Sequence, residues 1–101
     1  MSYRVDIMPQ AKLEILEAAE FIALDNPQKA DEFLEELIKY ISETLARFPK
    51  SGVIYKNHVR KLSYQNHTAF YTISETQNQI EVLHIVDLTK PLQARNIDLD
   101  D

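Results

Sequence analysis

The hydrophobic pattern of this chain changes period once, and the change falls on Phe48-Pro49-Lys50-Ser51-Gly52. Before it, apolar residues recur at the spacing of an amphipathic helix. After it, from Val59 onward, short runs rich in Val, Ile, Thr, Tyr and Phe follow one another as strands do. Pro49 disfavours helix at the residue it follows, and Gly52, the only glycine, is the residue best suited to a positive-φ turn. A chain divided in this way must cover one face of a sheet with the apolar stripes of helices, which is an α+β layer. With 101 residues it supplies one hydrophobic core and not two.

Tyr3, Val5 and Ile7 alternate with Arg4 and Asp6, so a half-buried strand precedes the helices. Pro9 suits the first turn of a helix running to about Leu24, in which Ala11, Ile15, Ala18, Ala19 and Ile22 form the apolar stripe and Lys12, Glu14, Glu17 and Glu20 lie elsewhere. Asp25-Asn26-Pro27 breaks and restarts the helix, with Asn26 as the capping acceptor. The second helix carries Ala30, Leu34, Leu37, Ile41, Leu45 and Phe48 on its apolar side. Three strands are then predicted at Val59–Leu62, Thr68–Ile73 and Ile80–Val86, with Gln65-Asn66 and Glu75–Asn78 as the turns. The order is β-α-α-β-β-β, a helical hairpin packed on a mainly antiparallel four-stranded sheet. Residues 92–101, ending Asp-Leu-Asp-Asp, form an acidic tail expected to be loose or to make a short terminal helix.

The formal net charge of −5 opposes a purely electrostatic grip on nucleic acid, because each phosphate contact needs a cation. No direct binding to DNA by this chain alone is expected. The charge is unevenly spread: residues 1–50 hold ten acidic and six basic side chains, whereas residues 51–74 hold Lys56, Arg60 and Lys61 and no carboxylate. An anion-binding surface is therefore expected from the second segment. Without cysteine there is no disulfide, thiolate metal site or thiol nucleophile. His58, His67 and His84 lie in separate elements and lack the spacing of paired ligands, so neither a metal site nor a cofactor is expected. No basic stretch leads into an apolar run at the N-terminus and no apolar segment reaches membrane-spanning length, which predicts a cytoplasmic protein without a membrane anchor.

Several residues combine suitable chemistry with a suitable place. Arg60 offers a bidentate fork to a carboxylate or phosphate, against the alternative of a surface ion pair with a helical glutamate. Tyr71 shares a strand face with Ala69 and Ile73, which favours core packing with its hydroxyl hydrogen-bonded. Tyr64 stands beside a hairpin turn as an exposed aromatic. His84 shares a strand face with Ile80, Val82 and Val86 and is a histidine inside an apolar run, suited to proton transfer or to half-buried packing. Asp31-Glu32 and Glu35-Glu36 fall on the solvated side of their helix.

Taken in order, Tyr3-Arg4-Val5, Pro9-Gln10-Ala11, Ile22-Ala23 with Asn26-Pro27 and Ala30, Leu45 with Phe48-Pro49-x-x-Gly52, Val59-Arg60-Lys61-Leu62, Phe70-Tyr71-Thr72-Ile73 and Ile80-Glu81-Val82-Leu83-His84-Ile85 resemble the RelE/ParE superfamily of toxins over residues 3 to 91. The resemblance implies a single toxin domain over 1–91, neutralised by a cognate antitoxin in a toxin–antitoxin hetero-oligomer. Two activities are implied: inhibition of DNA gyrase by ParE-like members, and cleavage of messenger RNA on the ribosome by RelE-like members. Members often carry arginine at the position of His84, histidine at that of Asp87 and arginine at that of Lys90. RelE-like nucleases also use a tyrosine near the C-terminus, whereas no aromatic residue follows Tyr71 here. The missing aromatic and the acidic balance favour the ParE-like reading, in which Arg60, Tyr64, Tyr71, His84 and Lys90 would contact the target or the antitoxin. In the ribonuclease reading the catalytic set would be Arg60, Lys61 and Lys90. A third reading keeps the fold and the antitoxin but has lost toxicity.

Overall fold

The computed structural model describes residues 2–87. Its elements are β1 (Arg4–Ile7), α1 (Pro9–Ala23), α2 (Pro27–Arg47), β2 (Val53–Lys56), β3 (Val59–Tyr64), β4 (His67–Ser74) and β5 (Gln79–Asp87). The strands form one sheet in the order β1-β5-β4-β3-β2. β1 runs parallel to β5, and every other neighbouring pair is antiparallel. The sheet thus has five strands and not four. The additional one, β2, is exposed along its whole length and shows no alternation of burial, so hydrophobic period gave no sign of it.

Local chemistry accounts for the helix boundaries. Pro9 and Pro27 occupy first-turn positions where a missing N–H costs nothing. Asn26 accepts a hydrogen bond from the Lys29 N–H at 3.1 Å and caps α2, whereas α1 begins from extended Met8 without a side-chain cap. Ala11, Ile15, Leu37, Ile41 and Leu45 meet Leu62, Ala69, Tyr71, Ile80, Val82 and Ile85 of the sheet in the main core. Phe48 departs from the expected stripe. The helix ends before it, and its side chain is 64% exposed. Among the described residues no helix is long and apolar enough to cross a membrane.

Two irregularities shape the sheet. β5 carries a bulge: Phe70 faces His84 and Tyr71 faces Val82, which leaves Leu83 unopposed. The extra residue breaks the expected alternation, so that Ile80, Val82 and Ile85 enter the helix-side core while Val86 clusters with Val59 and Phe70. Tyr55 is likewise unopposed between Ile54 and Lys56 in β2. The tight connections use left-handed backbone at Asn57, Gln65 and Asn78, not at glycine.

Candidate functional site

Gly52 shows why the expectation of a positive-φ turn misread it: no glycine of the structure has positive φ. What Gly52 supplies is room. A β-carbon there would stand 2.7 Å from the Tyr71 hydroxyl and would collide with the Lys61 carbonyl oxygen. Through that close approach the Gly52 N–H donates to Tyr71 Oη at 3.0 Å, and Tyr71 Oη donates to the Pro49 carbonyl at 2.8 Å. The Gly52 carbonyl accepts from Arg60 Nη1 at 2.8 Å. Arg60 and Tyr71 are cross-strand neighbours, so one pair of sheet side chains holds both backbone groups of the residue that leads from the helices into β2.

This placement changes the reading of two candidates. Tyr71 is fully buried and is unavailable to a partner in this conformation. Burial is also the largest influence on its phenol, raising the pKa above the ordinary value of 10.0, against the smaller opposing effects of the Gly52 hydrogen bond, Arg60 and Ser51. Arg60 points to the helix side of the sheet and holds a backbone carbonyl, rather than a helical glutamate. Lys61, the next residue of the strand, points the other way: its Nζ lies 5.7 Å from the centroid of Tyr55, whose ring packs edge-on against Phe70. Arg60 and Lys61 therefore do not converge. Lys90, the third member of the expected catalytic set, lies outside the described residues, as does the 92–101 tail.

Tyr64 is not a free-standing hairpin aromatic. It stacks on Tyr40 of α2 with centroids 4.5 Å apart. His84 is drawn into a constellation that includes a residue the sequence reading left on a charged helix surface. Beyond Ile7, β1 gives way to α1 and the outer edge of β5 loses its strand partner. Glu14 reaches that edge from α1: one carboxylate oxygen accepts from the Ile85 N–H at 2.9 Å, and the other lies 3.2 Å from His84 Nδ1. The sequence signal was present, since Glu14 stands three residues from buried Ala11 and four from buried Ala18. Among the described residues, no group of three or more histidines and carboxylates is arranged as metal ligands would be.

The exposed surface offers two features of another kind. One is the β2 edge, with Val53, Ile54 and Tyr55 exposed and one charged residue, Lys56. The other is a cleft of about 490 Å³ between the tip of the helical hairpin and the β3–β4 turn, lined by apolar Phe21, Ile22, Phe33 and Tyr64 among polar and acidic residues.

A helical hairpin covering one face of a mainly antiparallel five-stranded sheet defines an α+β domain. The family follows from the sequence itself: residues 5–88 match the model of the ParE toxin of type II toxin–antitoxin systems, parDE, and the chain belongs to that family. Solved structures share the fold. The toxin–antitoxin complex RelBE2 from Mycobacterium tuberculosis aligns with a TM-score of 0.67 at 13% identity, over 86% of this chain and 99% of that one. The chromosomal ParDE system from P. aeruginosa gives 0.71 at 15% identity over 86% and 97%, and the archaeal RelE–RelB complex from Pyrococcus horikoshii 0.51 at 17% over 90% and 100%. No curated protein matches the chain significantly.

Proposed function

We propose that this toxin-family protein acts by binding: that it is held inactive by a cognate antitoxin and, when released, inhibits DNA gyrase by occupying a surface of the enzyme. The observation that carries the choice over RNA cleavage is the divergence of Arg60 and Lys61. Cleavage by a neighbouring 2′-hydroxyl needs several donors aimed at one phosphorane, and electrostatic stabilisation depends on that aim. Here one cation is fixed on the Gly52 carbonyl and the other lies beside Tyr55 on the opposite side of β3. The excess of sixteen acidic over eleven basic side chains further disfavours docking on the ribosome's polyanion.

The antitoxin would use the β2 edge and the neighbouring surface of β3. Among the described residues β2 is an edge strand with exposed apolar side chains, a surface suited to strand addition, and the segment that bears it has no carboxylate. Lys61 and Lys90 remain candidates for target contact, whereas Arg60 acts through the position of Gly52.

The experiment is parallel assay of purified protein, without antitoxin, against gyrase supercoiling and against messenger RNA on translating ribosomes. Supercoiling should fall while the message stays intact. Codon-positioned cuts with supercoiling untouched would replace this reading with the RelE-like one. Inactivity in both assays with tight antitoxin binding retained would identify a non-toxic homologue.

A further inference from the structure

We infer that the cleft at the tip of the helical hairpin is a second docking surface, separate from the β2 edge, and that it takes a basic amphipathic peptide segment of a partner protein. The cleft shares no residue with β2, and it lies between α1, α2 and the turn at Gln65-Asn66. The inference stands whether or not gyrase is the target.

The tip of α1 exposes apolar side chains that a helix packing only on its own sheet would bury. Phe21 lines the cleft and is 73% exposed, and Leu24, three residues on at the end of the same helix, is 87% exposed. Single exposed apolar residues are ordinary, but an exposed phenylalanine lining one depression with Ile22, Phe33 and Tyr64 makes a continuous apolar feature. The floor is firmly set. Tyr64 stacks on Tyr40, and Phe33 packs against the His67 ring with centroids 4.9 Å apart. Such a depression keeps its shape when empty and can receive an anchoring side chain at little ordering cost.

Acidic side chains surround this apolar floor. Among the described residues, Asp25, Glu32 and Glu36 line the cleft against one lysine, Lys29, and all four are exposed. An apolar floor with an acidic rim is complementary to a segment that buries Leu, Ile or Phe and flanks them with Lys or Arg. The rim also separates this surface from the β2 edge, where the charged residues of the segment are Lys56, Arg60 and Lys61. The two surfaces therefore select partners of opposite charge.

The probe is a labelled synthetic 15-residue helical peptide with Leu and Phe on one face and Lys on the other, compared with its twin in which Glu replaces Lys. Binding to the whole chain is read by fluorescence anisotropy, and the footprint by amide chemical shifts. The Lys peptide should bind with shifts centred on Phe21, Phe33, Tyr64 and Gln65, and the Glu peptide should not. Phe21→Ser, at a position exposed enough to leave the fold intact, should weaken binding about tenfold or more. The double variant Glu32→Lys with Glu36→Lys should do the same, most strongly at low salt. Equal binding of both peptides, a footprint on β2, binding indifferent to Phe21→Ser, or no binding by either peptide would overturn the inference. So would self-association of the protein that Phe21→Ser abolishes, because the occupant would then be a second copy.

Discussion

Gly52 is gripped from both sides, its N–H by Tyr71 and its carbonyl by Arg60, and a side chain there would crowd the Tyr71 hydroxyl and the Lys61 carbonyl. Gly52→Ala should destabilise the protein by about 1–3 kcal/mol, the usual cost of overpacking, because the obstructing Lys61 carbonyl is backbone and cannot swing away. Chemical denaturation of the variant against the parent measures this. An unchanged midpoint would mean that the 49–52 connection adapts freely. Burial of Tyr71, against the opposing effect of the Gly52 hydrogen bond and Arg60, makes stability depend on alkaline pH. With the folded pKa of Tyr71 raised, the native state keeps a proton that the unfolded chain loses, so stability is fully present below the unfolded value near 10.0 and falls as pH rises through and beyond it. Tyr71→Phe should be less stable than the parent at neutral pH, having lost the bonds to Gly52 and Pro49, and should show a shallower alkaline decline. Thermal melts between neutral pH and pH about 11 test both halves.

At the scale of elements, what could be read in advance tracks how strongly burial patterns the sequence. Leu37, Ile41 and Leu45 are fully buried at helical spacing, and the helix they define lies where their period puts it. Leu37→Ala should cost about 2–5 kcal/mol, whereas Phe48→Ala, at an exposed position just past the helix, should cost little; urea midpoints of the two variants separate them. Similar midpoints would place Leu37 outside the core. β2 left no such pattern because neither of its faces is buried, so only its pairing with β3 reveals it. The phase of β5 was misread for a different reason. A bulge adds one residue without altering composition, and everything beyond Leu83 then changes sides relative to strict alternation. The candidate residues suffered accordingly. Arg60 and Tyr71 were recognisable as a noteworthy pair, but that they hold Gly52 depends on a contact across nineteen residues for Tyr71 and eight for Arg60, which no local pattern encodes.

At the scale of the molecule, the acidic side chains are concentrated in the helical layer, and the carboxylate-free segment 51–74 supplies β2, β3 and β4. The two layers of the fold thus present different charge to solution. A partner that neutralises this protein by strand addition and charge pairing should therefore cover the β2 and β3 side of the sheet. Hydrogen exchange of the complex with the cognate antitoxin should show new protection on amides of Val53–Lys56, whose strand is an edge in the free chain, with a footprint continuing onto the surface of β3. Amides of β4 are already paired on both sides within the sheet and should change little. The outcome that would sink the placement is equally specific: protection confined to α1 and α2, with β2 exchanging as in the free protein, would put the antitoxin on the acidic layer. In that case the hairpin cleft and the antitoxin site would compete for one surface. If the placement holds, the cleft remains accessible in the neutralised complex, and the Lys peptide should bind the free and antitoxin-bound protein with the same affinity.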